Sequence, residues 1–201
     1  MRRYSLYMFD FDGTLFDSGR GERTCYAAAM AKVGMAPSAG EGFSGFPSRE
    51  EFRVMGGGRD YEDLVRAFTE EARARMDTLT VPYPDAAPAI LRISDLGMPL
   101  CIATRKSEAR ARTILRAYDL ERYFDKVVGY ESVTRLKPDP ECLLICMGGY
   151  DIPRRDCVYI GDSPSDMEAA AAAGIDGVMV DREWNRGFPW KSRISGLREL
   201  F

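Results

Sequence analysis

The 201-residue sequence contains no histidine. This absence excludes every nucleophilic site that needs an imidazole base, including Ser-His-Asp and Cys-His arrangements. It also excludes metal sites with imidazole ligands, so a metal would have to be held by oxygen atoms. Proton transfer at an active site of this chain must therefore depend on carboxylates or lysine.

Long hydrophobic runs and long basic runs are missing as well. No stretch approaches the roughly 18 consecutive apolar residues of a membrane span, and the N-terminus lacks the apolar segment and cleavage site of a signal peptide. With 28 basic and 31 acidic residues, the formal net charge is -3, which gives no support for nucleic-acid binding. We expect a cytoplasmic protein with neither a nucleic-acid nor a membrane partner.

Cysteine is scarce: the chain has 5, an odd number spread over apolar stretches. This distribution argues against a disulfide framework and predicts reduced thiols in the core. The hydrophobic content of 45% is enough for one globular domain, or for one domain that carries an insertion.

Short apolar runs with little alternation predict strands that are buried on both faces. They lie at residues 4–10, 98–104, 126–130, 157–161 and 177–181. Helical patterns separate the later runs, at residues 108–118, 140–150 and 164–173. This alternation predicts a doubly wound α/β fold with a parallel, Rossmann-like sheet and an active site at the carboxyl ends of the strands.

The long interval between the first two predicted strands breaks this pattern, because a βαβ unit needs only about 30 residues. Apolar stripes at helical spacing run through residues 26–33 and 64–79, and Asp60 is a predicted N-cap for the second stripe. We therefore predict a core domain formed by residues 1–15 and 82–201. A small helical cap domain, residues 16–81, is inserted between the first and second core strands.

Polar side chains stand where four of the predicted strands end. Asp10 and Asp12 follow the first strand, and two acids so close would repel each other and lose solvation unless a cation offset their charge. The later strands are followed by a hydroxyl, a lysine and two further acids: Thr104, Lys137, Asp162 and Asp166. The carboxyl edge of the sheet is therefore the predicted site.

These residues form four motifs in a fixed order. The motifs are Asp10-Phe11-Asp12-Gly13-Thr14, the strand end at Thr104, Lys137-Pro138, and Gly161-Asp162-x-x-x-Asp166. Together they resemble the motifs of the haloacid dehalogenase-like hydrolases, over nearly the whole chain. The helical insert after the first motif resembles the cap of the phosphoglycolate phosphatase and β-phosphoglucomutase group within that superfamily.

The resemblance implies specific roles for the acids. Asp10 would be the nucleophile that forms an aspartyl phosphate, and Asp12 would protonate the leaving oxygen and then deprotonate the attacking water. Mg²⁺ would be held by Asp10, the backbone carbonyl of Asp12 and Asp162. Asp166 would lie behind these ligands and orient Lys137 or a water on the metal.

The same resemblance implies a set of phosphate-binding residues. Thr104 and Lys137 would bind the transferring phosphoryl oxygens. Arg105 is a further substrate-binding candidate, although the family often has asparagine or serine at that position, which leaves the roles of Arg105 and its neighbour open. From the insert, Phe46 and Arg49 are hypothetical substrate contacts.

We therefore expect a Mg²⁺-dependent phosphatase that hydrolyses a small phosphorylated metabolite, as a monomer or homodimer. A phosphomutase is the alternative, but the family's mutases rely partly on a cap histidine. Dehalogenation is disfavoured because that branch has no acid at the position of Asp12. A phosphate-accepting receiver is less favoured still, since Tyr130 and Glu131 occupy the region after the third strand where a receiver has its aspartate.

Overall fold

A parallel sheet of six strands organises the larger part of the chain. The structure is a computed structural model, and it describes residues 3–36, 49–55, 57–185 and 187–201. The strands are β1 (Leu6–Phe9), β2 (Phe16–Asp17), β3 (Val81–Pro82), β4 (Leu100–Ala103), β5 (Lys126–Val128), β6 (Cys157–Gly161), β7 (Asp176–Val180) and β8 (Arg193–Ile194). The sheet has the order β5-β4-β1-β6-β7-β8.

Seven α-helices connect or follow these strands in the described residues. They are α1 (Gly19–Lys32), α2 (Arg49–Met55), α3 (Tyr61–Leu79), α4 (Ala86–Asp95), α5 (Glu108–Ala117), α6 (Glu141–Met147) and α7 (Pro164–Ala173). Short 3₁₀ turns occur at Glu121–Tyr123, Tyr130–Ser132, Arg154–Asp156, Glu183–Asn185 and Leu197–Leu200. None of the described helices has the length and apolar character needed to cross a membrane.

The first strand lies in the middle of the sheet, between β4 and β6. Tyr7 is in register with Leu100 on one side and with Val158 on the other, and both pairings are parallel. The chain runs outward from β1 to β4 and β5, and then returns to β6 on the opposite side. This reversal of strand order is where doubly wound folds bind ligands, outside the carboxyl ends of the strands.

Residues of β1 alternate between two separate apolar layers. Tyr7 and Phe9 pack with residues of α4 and α5 on one face of the sheet. Leu6 and Met8 pack with residues of α6 and α7 on the other. All four side chains are buried, which explains why the strand reads as a continuous apolar run and not as an alternating one. The doubly wound α/β prediction is confirmed.

Helix α7 begins with a complete N-terminal cap. The Ser163 hydroxyl accepts from the backbone N–H of Asp166, while the Asp166 carboxylate accepts from the backbone N–H of Ser163. Pro164 occupies the first turn, where its missing N–H costs nothing. The helix ends at Gly174, whose φ of 71° lies in the left-handed region that glycine adopts readily.

The contact pattern divides the chain into two compact units, Met1–Asp17 with Pro82–Phe201, and Ser18–Val81. In the second unit α1 packs against α3 through Tyr26, Ala29 and Met30, which are buried together with Leu64. The predicted N-cap of α3 is confirmed, because the Asp60 carboxylate accepts from the N–H of Glu62 at 2.9 Å. The predicted insert, residues 16–81, includes all of this unit.

Several elements had no clear sequence signal. The sequence pattern does not predict helices α2 and α4 or the edge strand β8, which extends the sheet from five strands to six. A strand of two residues is too short to show a period, so its pairing with β7 depends on tertiary contacts.

Candidate active site

The carboxyl ends of the central strands bring the predicted polar residues together. Asp10 follows β1, Thr104 follows β4 and Asp162 follows β6, while Lys137 reaches in from the loop after β5. All four are at most 8% exposed. Since adjacent parallel strands end at the same edge, residues far apart in sequence become neighbours here.

Lys137 is the centre of the charged network. Its ammonium nitrogen lies 2.8 Å from Asp10 Oδ1, 2.6 Å from Asp166 Oδ1 and 2.8 Å from the hydroxyl of Tyr159. Burial alone would lower the pKa of Lys137, but the charges of Asp10 and Asp166 raise it above the usual lysine value. The ammonium therefore stays charged and joins the first and fourth motifs.

One carboxylate oxygen from each of Asp10, Asp162 and Asp166 lies within 4.8 Å of the other two. Burial raises the pKa of Asp10 to about 6 despite the opposing effect of Lys137. Burial, followed by repulsion from Asp10, raises the pKa of Asp162 to about 8. Burial would also raise the pKa of Asp166, but the charge and hydrogen bond of Lys137 hold it below its usual value.

These shifts show a local excess of negative charge. Three buried carboxylates lie close together, and the ammonium of Lys137 contacts only Asp10 and Asp166, so ionising all three is unfavourable without a further cation. Carboxylate oxygens are the ligands preferred by hard divalent cations. The carboxylates of Asp10, Asp162 and Asp166 therefore fit a divalent metal ion.

The loop after β1 closely approaches Asp162. The hydroxyl of Thr14 donates to Asp162 Oδ1 at 2.9 Å. Gly13 has a φ of 78°, and a Cβ atom there would lie 2.1 Å from Asp162 Oδ2. Only glycine fits, both because of the left-handed backbone and because of the carboxylate beside it.

The carboxylate of Asp12 is not in the acid cluster. It is paired with Lys106, whose ammonium nitrogen lies 3.0 Å from each of its two oxygens and 5.5 Å from the centre of the Phe11 ring. The Lys106 side chain is only 9% exposed, and that of Asp12 is 31% exposed. Both oxygens of Asp12 are thereby held by one ammonium.

Thr104 and Arg105 have contacts within the loop that follows β4. The Thr104 hydroxyl accepts from the backbone N–H of Lys106 at 3.0 Å, a capping contact beside the start of α5. The exposed Arg105 donates to the backbone carbonyl of Lys137 at 3.0 Å. Phosphate binding by Thr104, Arg105 and Lys137 stays a prediction. In the structure Arg105 contacts the loop that contains Lys137.

The substrate contacts predicted from the insert also stay predictions. Arg49 pairs with Glu62 and lies 5.0 Å from the centre of the Tyr61 ring, all within the second unit. Phe46 lies outside the described residues.

Sequence reasoning missed Tyr159 in the middle of β6. Its buried hydroxyl donates to the carbonyl of Ala103 at 2.7 Å, accepts from Lys137 and lies 3.2 Å from Asp166 Oδ1. Within an otherwise apolar strand a tyrosine reads as a core residue, because its ring packs like phenylalanine. The one signal in the sequence is that a tyrosine lies within a strand predicted to be buried, because a buried hydroxyl needs a polar partner.

Comparisons with known proteins agree with these motifs. A family model described as haloacid dehalogenase-like hydrolase matches residues 7–180. Phosphoglycolate phosphatase of Pseudomonas putida is 29% identical over 195 residues, an alignment that covers 92% of this chain and 72% of that protein. The tyrosine-protein kinase PtkA of Mycobacterium tuberculosis is 30% identical over 199 residues. That alignment covers 90% of this chain but only 63% of the kinase, which is less than two thirds of its length.

A solved structure shows the same fold. The HAD-superfamily hydrolase of subfamily IA from Geobacter sulfurreducens superposes with a TM-score of 0.82 and 24% identity. The superposition covers 98% of this chain and 94% of that one.

Proposed function

The chain belongs to the haloacid dehalogenase-like hydrolases, and from this premise we propose that it is a Mg²⁺-dependent phosphatase acting on a small phosphorylated metabolite. Membership confirms the resemblance read from the motifs. The observation that carries the proposal is the buried cluster of Asp10, Lys137, Asp162 and Asp166 at the carboxyl edge of the sheet.

Asp10 is the proposed nucleophile. The Lys137 ammonium holds its Oδ1 atom at 2.8 Å, which orients the carboxylate and offsets its charge. A carboxylate oxygen attacks phosphorus, the bond from phosphorus to the substrate oxygen breaks, and an aspartyl phosphate forms. Water then attacks the aspartyl phosphate, which releases inorganic phosphate and restores Asp10.

Asp12 is the proposed acid and base. It gives its proton to the leaving oxygen in the first half of the reaction and takes a proton from the attacking water in the second. The contact with Lys106 keeps both of its oxygens in one place, 3.0 Å from the ammonium nitrogen. In a chain without histidine, a carboxylate is one of the groups that remain for proton transfer.

Asp10, the backbone carbonyl of Asp12 and Asp162 are the proposed ligands of Mg²⁺. A cation bound there would offset the negative charges of the acids and of the entering phosphate. Without it, the approach of the phosphate to the carboxylates is electrostatically unfavourable. Thr104 and Lys137 would bind the phosphoryl oxygens, and Arg105 and Arg49 are further candidates for substrate binding. Asp166 orients Lys137 through the 2.6 Å contact.

The insert, residues 16–81, is proposed to be a cap domain that selects the substrate. Phosphoglycolate is the first compound to test, because phosphoglycolate phosphatases are among the relatives. The acceptor of the phosphoryl group is water in this proposal. A sugar hydroxyl would make the chain a mutase, and a tyrosine hydroxyl would give it the activity for which one relative is named.

The test is a panel of phosphorylated metabolites, with phosphate release measured in Mg²⁺. We expect turnover that is abolished in Asp10→Asn. Asp176→Asn is the matched control, since Asp176 lies at the amino end of β7, away from the carboxyl edge, and should leave turnover intact. Retained activity in Asp10→Asn would contradict the nucleophile assignment. Isomerised product or phosphotyrosine without free phosphate would contradict hydrolysis.

A further inference from the structure

A largely buried arginine and a fully buried asparagine that follow β7 contact both loops of the proposed cation site. The Arg182 side chain is 9% exposed and Asn185 is 1% exposed. Neither contacts a carboxylate of the cluster through its side chain in the described structure, and no step of the proposed reaction uses them. Burying a guanidinium and an amide is unfavourable unless their hydrogen bonds are made, so their partners are informative.

Arg182 lies behind the loop that follows β1. Its Nη2 atom donates to the carbonyl of Thr14 at 2.5 Å and its Nε atom to the carbonyl of Gly13 at 3.3 Å. The carboxylate of Asp85 lies 3.2 and 3.3 Å from the two Nη atoms and offsets the charge. The guanidinium also lies 3.8 Å from the centre of the Tyr83 ring. Because its donors form a rigid fork, these contacts fix both carbonyls at once.

Asn185 holds the other loop. Its Nδ2 atom donates to the carbonyl of Asp162 at 2.7 Å and to that of Val180 at 3.2 Å. Its Oδ1 atom accepts from the backbone N–H of Arg182 at 2.9 Å. The two side chains thus belong to one short segment, which we call the Arg182–Asn185 brace.

The two loops meet directly at the acid cluster. Thr14 donates to a carboxylate oxygen of Asp162, and Gly13 lies against the same carboxylate. Any movement of the Gly13 and Thr14 carbonyls away from Arg182 would change where Asp162 stands relative to Asp10. The separation of these two acids determines how well they share one cation.

We propose that Arg182 and Asn185 are positioning residues that hold the loop after β1 against Asp162 and thereby set the affinity of the site for a divalent cation. The inference rests on the cation site of the proposed function. It adds residues outside the four motifs to the machinery of that site.

The test is calorimetric titration of the full chain with Mg²⁺ in the absence of substrate. We expect Arg182→Met to raise the Kd for Mg²⁺ by roughly 10–100-fold, as loss of groups that orient metal ligands usually does. Arg182→Lys should raise it less, since an ammonium can reach one carbonyl but cannot reproduce the fork. Asn185→Ala provides a second variant on the same brace and should also weaken binding.

Arg112→Met is the matched control. Arg112 is a partly buried arginine of the same unit, paired with Glu108 and Glu121 on the α5 side, and its loss should leave the Mg²⁺ affinity nearly unchanged. Urea unfolding without metal separates lost stability from lost affinity.

Wild-type affinity in Arg182→Met, or an equal loss in the control, would overturn the proposal. If Arg182→Met does not fold, unchanged affinity in Asn185→Ala overturns it instead, and so does a wild-type chain that binds no Mg²⁺. Binding is measured without turnover. A chain whose Mg²⁺ affinity depends on the brace but that releases no phosphate would therefore contradict the proposed function and leave this inference intact.

Discussion

Replacing Lys137 with methionine would leave two buried carboxylates without their cation. The Lys137 side chain is 3% exposed, and its partners Asp10 and Asp166 are 12% and 1% exposed. Water cannot reach these buried carboxylates to replace the lost ammonium. Methionine is chosen because it keeps much of the volume of the lysine side chain. Removing one partner of a buried ion pair typically costs about 3–5 kcal/mol in the free energy of unfolding.

That loss is large for a chain of this size. Each kcal/mol lowers the melting temperature by about 2–4 °C in proteins of 150–250 residues. We therefore expect Lys137→Met to melt about 6–20 °C lower than wild type when no divalent cation is added.

The pH dependence has a definite sign. In the wild type Lys137 lowers the pKa of Asp166, so this acid stabilises the fold above its unfolded pKa and loses that effect as the pH falls. In the variant, burial without the lysine raises the pKa of both acids, and their penalty grows as the pH rises. The difference between wild type and Lys137→Met should therefore be larger at pH 8 than at pH 4.5.

The assays are thermal unfolding for the melting temperature and urea unfolding for the free energy, both followed by circular dichroism at both pH values. Lys106→Met is the matched control, because its partner Asp12 is 31% exposed and water can replace part of the lost interaction; we expect a loss of about 1 kcal/mol. The double variant Lys137→Met/Asp166→Asn should regain part of the stability lost in the single one. A loss in Lys137→Met no larger than in the control, or equal at both pH values, would refute the reasoning.

Three further outcomes are expected. Lys106→Met should slow hydrolysis of alkyl phosphates much more than of p-nitrophenyl phosphate, whose leaving group needs little protonation; equal slowing would show that Lys106 does not position Asp12. Between about pH 6 and pH 8 the Mg²⁺ affinity should rise by up to about tenfold per pH unit, because Asp162, with its pKa raised to about 8, must lose its proton to bind the cation. Calorimetry at pH 6 and 8 checks this, and a pH-independent Kd would contradict it. Tyr159→Phe removes a hydrogen bond to the buried lysine and should lower kcat with little change in KM, whereas Tyr7→Phe on the neighbouring strand should change neither.

The sequence was sufficient for the core fold and for most of the acid cluster. Continuous apolar runs identified the central strands, since a strand covered on both faces cannot alternate. Because parallel strands end at one edge, the positions of Asp10 and Asp162 after two such runs already placed them near each other. The absence of histidine by itself limits the groups available for proton transfer to carboxylates or lysine.

Short secondary-structure elements and side-chain pairings could not be predicted from the sequence. The edge strand β8 has only two residues, and its pairing with β7 is a tertiary contact. Tyr159 reads as core because its ring is apolar. The sequence assigns no role to Lys106, because the local pattern does not indicate that its ammonium contacts Asp12.

The acid pair after β1 was determined by the sequence itself, through residue type, spacing and position at the end of a buried run. Only the tertiary structure decided the partners of these two acids, which are Lys137 for Asp10 and Lys106 for Asp12. The same holds for Asp162 after β6, whose partner is the hydroxyl of Thr14. The physical reason is that these contacts join residues about a hundred or more positions apart. Such pairings depend on strand order and on loop geometry, and no local pattern of residues encodes either one.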